Sequence, residues 1–208
     1  MKSIEVRLSE RARIAAIALN EPLSAALVTY FELLQRWNAK INLTSLPDPD
    51  EAIDRLLLEP VAAARHLRAG SHLIDLGSGG GSPAIPLALA LGSPRLVMVE
   101  SRGRKAAFLR EAARVTSLSA TVEDQRFERL AESGTYAREF DVVSMRAIRM
   151  DEDALTAAVR FLAPEGKLAL FVSPGTTPML PKDHALERFS LLPDAELLVS
   201  SPVVPRGT

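Results

Sequence analysis

The sequence contains no cysteine. Disulfides, thiolate zinc sites and a cysteine nucleophile are therefore excluded. Histidine is scarce: His66, His72 and His184 are the three, and no two lie at the spacing that sets a pair of metal ligands on one helix face. A metal site is not expected. Neither sign of charge dominates, with 25 basic against 26 acidic residues, so the chain is not a globally basic nucleic-acid coat. No apolar run approaches the roughly 20 residues of a membrane span. The longest, Ala84 to Leu91, is interrupted by Pro86. Near the start, Lys2, Glu5, Arg7, Glu10, Arg11 and Arg13 form a charge density that no signal-peptide apolar region tolerates. A soluble cytoplasmic monomer without membrane contact is expected.

What is present is ordinary globular composition, 47% hydrophobic and 25% charged over 208 residues. That length suits one domain with a modest extension, large enough to bury roughly two-thirds of its unfolded surface. Residues 1–70 read as a helical N-terminal cap. Leu23, Leu27, Tyr30, Phe31, Leu34 and Trp37 fall on one helix face. Asp48-Pro49-Asp50-Glu51 reads as a helix start, with Asp48 as cap and Pro49 in the first helical position. Pro60 is expected to end or kink that helix.

From residue 71 the pattern changes to that of a core running over residues 71–208. Five short apolar runs, 72–76, 95–100, 119–123, 140–144 and 167–172, alternate with helix-like stretches at 83–91, 102–116, 125–133 and 151–162. Alternating strand and helix predicts an α/β fold, a mostly parallel sheet with helices on both faces. Pro164-Glu165-Gly166 reads as a turn before the fifth strand. Two further runs, Phe189–Leu192 and Glu196–Val203, have no helix between them and predict a terminal hairpin, for seven strands in all.

The most informative stretch is Asp75-Leu76-Gly77-Ser78-Gly79-Gly80-Gly81-Ser82-Pro83, between a predicted strand and a predicted helix. Glycines there let the chain turn sharply and bring backbone N–H groups close to a ligand. Glu100 ends the next strand, where a carboxylate can accept hydrogen bonds from both hydroxyls of a ribose. A phosphate-cradling loop needs Gly-Lys-Ser/Thr, and no lysine is present. A dinucleotide loop places glycine at position 82, which is Ser82. The spacing Asp-x-Gly-x-Gly-x-Gly matches instead the S-adenosylmethionine loop of class I methyltransferases, in which the leading acid helps hold the methionine ammonium. A glycine-rich strand–helix turn can also occur without a ligand. Here the loop, the leading acid and Glu100 stand together at the right spacing.

These residues resemble the RsmG (GidB) family, bacterial methyltransferases of guanine N7 in small-subunit (16S) ribosomal RNA. Gly77-Ser78-Gly79-Gly80-Gly81-Ser82-Pro83-Ala84-Ile85-Pro86-Leu87 resembles the family's GSGxGFPGIPLA, and Trp37 to Thr44 resembles its WNxKxNLT. Lys105 to Leu109, Arg126-Phe127-Glu128, Arg146-Ala147 and Pro164-Glu165-Gly166 resemble its later motifs. Four stretches depart from the pattern. The family's R-H-x-x-D-S helix reads Arg55 to Pro60, the loop phenylalanine is Ser82, a small residue is Met145, and the lysine ending the fifth strand is replaced near Ser173.

The resemblance implies a Rossmann-like class I S-adenosylmethionine-dependent methyltransferase whose partner is small-subunit rRNA. The cofactor would be held by Asp75, Gly77, Ser78, Gly79, Gly81, Glu100 and Ser101, with backbone groups of Phe127 and Glu128 at the adenine and Asp124 as a rival for its amino group. Guanine N7 has a lone pair and no proton to remove, so no general base is needed and catalysis can rest on alignment and electrostatics. Arg146, after the fourth strand, would bind the guanine edge or its phosphate and is the catalytic candidate. Within residues 95–114 six basic residues face two acidic ones, and Arg102, Arg104, Lys105 and Arg126 are the candidate RNA-binding groups. Trp37 is read as core rather than as a base-stacking group. Two other readings stay open: a divergent methyltransferase of another RNA or of a small molecule, and a non-catalytic cofactor- or RNA-binding protein.

Overall fold

The computed structural model describes residues 2–180 and 183–202. Helix α1 (Ile4–Ile14) starts where the Ser3 hydroxyl accepts from the Val6 N–H. Helix α2 (Glu21–Ile41) is capped by Asn20 and carries Pro22 in its first turn, both ordinary start signals. Its buried residues are Leu27, Tyr30, Phe31 and Leu34 of the predicted face together with Leu33, while Leu23 and Trp37 of that face are partly buried. Trp37 packs edge-to-face on Phe108 with ring centroids 5.7 Å apart, as a core residue does. The helix stops at Asn42, which takes a left-handed backbone with φ +50°.

Helix α3 (Pro49–Ile53) begins as predicted, with the Asp48 carboxylate accepting from the N–H groups of Asp50 and Glu51. Pro60 does not end this helical run. The chain passes through a π-helical segment, Asp54–Leu58, into α4 (Glu59–Ala63) and a 3₁₀ turn, Ala64–His66. The π segment widens the helix by one residue, so the Glu59 N–H reaches back to the Asp54 carbonyl. That extra residue accommodates a proline ring that would otherwise strike the carbonyl four residues back.

The core is a seven-stranded sheet in the order β3-β2-β1-β4-β5-β7-β6. Strands β1 (Leu73–Leu76), β2 (Leu96–Val99), β3 (Ala120–Glu123), β4 (Phe140–Arg146) and β5 (Leu162–Val172) run parallel. The predicted terminal hairpin is present as β6 (His184–Leu192) and β7 (Ala195–Pro202), and β7 pairs antiparallel with β5. The expected end of that last strand, Val203, lies outside the described residues. One detail differs from expectation. Pro164-Glu165-Gly166 does not precede β5 but loops out of it, since the ladder jumps from Phe140↔Leu162 to Val142↔Lys167. Pro164 has no N–H for the ladder, so the pairing breaks around it.

Helices cover both faces. Leu73, Leu96 and Met98 point into a core shared with α1–α4, α5 (Ala84–Leu91) and α6 (Gly103–Val115). Ile74, Leu76, Val97 and Val99 point to the opposite core, under α7 (Phe127–Glu132) and α8 (Glu152–Val159). Alternation with period two thus feeds two apolar layers, which is why all four residues of β1 and of β2 are buried. The chain winds outward from β1 in both directions, and that reversal opens a crevice at the carboxyl ends of β1 and β4. No helix among the described residues is long and apolar enough to cross a membrane.

Candidate active site

The loop after β1 forms the floor of this crevice. Gly77 and Ser78 donate their N–H groups to the Val99 carbonyl, at 2.9 and 3.0 Å, tying the loop to β2. Gly77 has φ +74°, and a Cβ there would stand 2.7 Å from Ile148 Cγ2, so no other residue fits without displacing its neighbour. Gly79 also has a left-handed backbone, yet a Cβ on it would meet only the Gly77 carbonyl, at 3.8 Å. The space in front of Gly79 is therefore open for a ligand. Gly81 faces Tyr30 and Ile85 instead. The Tyr30 hydroxyl, fully buried, donates to the Gly80 carbonyl at 2.6 Å and so anchors the loop to α2. Burial pushes its phenol up, leaving it protonated as a donor.

Two carboxylates hold the loop from below and beside. Glu100 accepts from the Gly79 N–H through Oε2 at 2.9 Å and from the Arg102 N–H through Oε1 at 2.8 Å. Asp75 is almost wholly buried, and its Oδ1 accepts from the Ser144 hydroxyl at 2.5 Å. Burial pushes the Asp75 carboxyl up to about 6, with the Ser144 bond opposing that rise.

A cavity of about 490 Å³ lies over the loop. Its wall is built from residues 77–80 after β1, Glu100, Ser101 and Arg102 after β2, Gln125 to Glu128 after β3, and Arg146 at the end of β4 with Ala147 and Ile148 after it. Leu43, Thr44 and Ser45 close it from the segment after α2. Asn38 shapes that segment by accepting from the N–H groups of Leu43 and Thr44, at 2.6 and 2.9 Å. A second cavity, of about 400 Å³, lies beyond Arg146 and is lined by Arg55, Glu59, Phe171, Ser173 and Thr176 among others.

Arg146 belongs to both cavities. Its side chain is 12% exposed and pairs with the Glu59 carboxylate, itself 3% exposed, at 2.9 Å. Glu59 also pairs with Arg55 at 2.9 Å. The Arg146 guanidinium donates to the Ser82 hydroxyl at 3.3 Å and stands 5.9 Å from the centre of the Phe171 ring. Burial lowers the Arg146 pKa and raises that of Glu59, and in each case the opposite charge of the partner resists.

Of the residues singled out from sequence, Gly77, Ser78, Gly79, Glu100, Ser101, Phe127, Glu128, Arg102, Lys105, Arg126 and Arg146 converge on the first cavity. Asp75 and Gly81 stand behind its wall, and Arg104 lies off it, exposed on α6. Asp124 is likewise exposed, beside Gly103, and off the wall. Sequence reasoning missed Tyr30, Glu59, Ser82 and Ile148. Tyr30 read as one more apolar-stripe residue, and Glu59 and Ser82 stood out only as departures from a pattern. Among the described residues no group of three His, Asp or Glu side chains could hold a metal ion.

The structure resembles a mutant of MtNAS crystallised with S-adenosylmethionine, at TM-score 0.57 and 14% identity, covering 97% of this chain and 88% of that one. It also resembles a putative methyltransferase, yhhF, from Escherichia coli, at TM-score 0.56 and 12% identity over 65% and 79% of the two chains. Identities this low speak for the fold alone. Sequence comparison goes further. Ribosomal RNA small subunit methyltransferase G of Stenotrophomonas maltophilia (strain K279a) is 41% identical over 160 residues, 74% of this chain and 71% of the relative. The protein of the same name from Rhodospirillum centenum is 37% identical over 203 residues, 93% and 90% of the two chains. The family model for rRNA small subunit methyltransferase G matches residues 23–173, from the buried stripe of α2 through the glycine loop to the end of β5. The chain belongs to the rRNA small subunit methyltransferase G family.

Proposed function

We propose that the first cavity takes S-adenosylmethionine and the second the target guanine, with Arg146 between them. As a member of this family the chain is an S-adenosylmethionine-dependent methyltransferase of small-subunit rRNA, and the reading extends to guanine N7 as the atom methylated. The residues present fit the cofactor: an open cradle at Gly79 in a loop already fixed by its own backbone bonds, and a carboxylate, Glu100, at the end of β2. Bound there, S-adenosylmethionine supplies an electrophilic methyl on a sulfonium.

Each residue then has a role. Glu100, anchored by two backbone N–H groups, presents its remaining lone pairs to the ribose hydroxyls. Phe127 and Glu128 border the adenine with their backbone groups. Asp75, behind the loop, sets a negative potential for the methionine ammonium. A guanine held in the second cavity would present N7, whose lone pair can take that methyl, and no residue of this chain would need to accept a proton. Arg146 orients the guanine through O6 or its phosphate. Methylation makes the ring cationic, and Glu59 offsets the Arg146 charge that would oppose this. The cap, residues 1–70, supplies Leu34, Leu43, Thr44, Ser45, Leu56, Arg55 and Glu59 to the two cavities, and the core, residues 71–208, supplies the rest. We place the protein in the cytoplasm as a monomer, where the ribosomal subunit is its partner.

The observation that carries this reading is the convergence of the glycine loop, Glu100 and the buried Arg146 on one cavity. Purified protein, methyl-labelled cofactor and small-subunit particles from cells lacking the gene provide the test. Labelled N7-methylguanine at one rRNA position is expected. Arg146→Ala is expected to lower transfer by about a hundredfold while cofactor affinity by calorimetry stays nearly constant. Cofactor binding with no transfer from the wild-type protein would overturn the assignment.

A further inference from the structure

We infer that Ser82 is a positioning residue for Arg146, and that Pro60 is what commits its hydroxyl to the task; the inference rests on the role given above to Arg146. The Ser82 hydroxyl meets two groups. It donates to the Leu56 carbonyl at 2.8 Å and accepts from Arg146 Nη1 at 3.3 Å. A hydroxyl has one proton and two lone pairs, so the two bonds coexist when the proton points at Leu56 and a lone pair at the guanidinium. The Leu56 carbonyl attracts that proton because the residue four positions on is Pro60, which has no N–H to give it.

The other end of the guanidinium is fixed by Glu59, at 2.9 Å from Nη2, and its face lies over Phe171. Glu59 sets the distance of Arg146 from α4, and Ser82 sets its rotation. Two positions where this chain departs from its family pattern, Pro60 and Ser82, thus act as one device. The proline removes the N–H that an α-helical bond to the Leu56 carbonyl would use, and the serine bonds that carbonyl while turning a lone pair towards the arginine. Ser82→Ala would remove the side-chain bond to that half-buried carbonyl and leave the guanidinium free to rotate about its bond to Glu59.

Four variants test this: Ser82→Ala, Ser82→Thr, Ser82→Ala with Pro60→Ala, and Arg146→Ala. Ser82→Ala is expected to lower the melting temperature by about 2–4 °C. It should also lower kcat for methyl transfer about tenfold, with KM for the particle and cofactor affinity changing less than about twofold. Ser82→Thr, which keeps the hydroxyl, should return most of kcat. Adding Pro60→Ala restores a helical N–H for Leu56, so the melting temperature should recover while kcat stays low. Recovery of kcat together with stability, or a wild-type kcat in Ser82→Ala beside an impaired Arg146→Ala, would overturn the Ser82 role alone. A wild-type rate in Arg146→Ala would overturn instead the reading on which it rests.

Discussion

Asp75 shows how the burial of one side chain creates a measurable pH dependence. Its carboxyl is held at about 6 in the folded chain against an ordinary 3.8, because burial disfavours the charged form. The folded state therefore binds this proton more tightly than the unfolded state does. The resulting stabilisation is complete below the ordinary carboxylate range and is lost as pH rises through about 6. At neutral pH the ligand-free protein carries a buried, destabilising carboxylate, worth at most about 3 kcal/mol by the gap between the two values. Asp75→Asn keeps an oxygen that can accept from Ser144 and removes the charge. It is expected to raise the melting temperature at pH 7.5, by a margin that vanishes near pH 4, and to weaken S-adenosylmethionine binding. Thermal unfolding over pH 4–8 with calorimetry checks both. A variant less stable than wild type at pH 7.5 would show that the charged form is held favourably after all.

Between elements, the site depends on how the end of β4 meets the loop after β1. Ala147 has a left-handed backbone, φ +53°, which turns the chain after Arg146 and lays Ile148 against Gly77. Gly77→Ala is expected to destabilise the protein by more than the about 1–2 kcal/mol that a left-handed residue with a Cβ carries, because the new methyl meets Ile148 at 2.7 Å. Adding Ile148→Ala removes the clash but not the backbone strain, so urea unfolding should show partial recovery. Full recovery would mean that φ at position 77 is unimportant. The helical run over residues 49–66 teaches a related lesson. Its start was legible, since Asp48 and Pro49 act on their immediate neighbours. Its passage through Pro60 was not, since a π segment beneath and Ser82 on another element accommodate the proline.

Over the whole molecule, the balance of charge hides an uneven distribution. Not all of the basic residues in 95–114 are free for RNA. Arg95 pairs with Glu139 and Arg114 with Glu111, whereas Arg102, Arg104 and Lys105 form no ion pair among the described residues. Arg102, Lys105 and Arg126 line the first cavity and Arg104 lies off it on α6, so unpaired positive charge stands along one side of that cavity. RNA affinity is expected to fall with salt at about −0.7 in the log–log slope per phosphate neutralised on a single strand. Reversing Arg102 and Arg104 to Glu should weaken binding to small-subunit particles and flatten that slope, measured between 50 and 200 mM salt as the usual range. An unchanged slope would place the RNA on another face. Particles rather than short oligonucleotides are needed because RNA is recognised largely by shape.

The sequence by itself determined the order of strands and helices, the terminal hairpin, the cap at Asp48 and the glycine turn, because each depends on residues within a few positions of one another. It also placed Gly77, Gly79 and Glu100 on one wall, because consecutive parallel strands present their carboxyl ends together. Only the tertiary structure decided that Asp75 stands behind that wall and Gly81 packs on Tyr30, since period-two alternation points a side chain to a face but not to a neighbour. It decided too that Arg146 pairs with Glu59, 87 residues away, and that Tyr30 donates to a glycine carbonyl 50 residues on. Such partners are fixed by which helix lies over which strand, and that packing is specified by the whole core rather than by any local run.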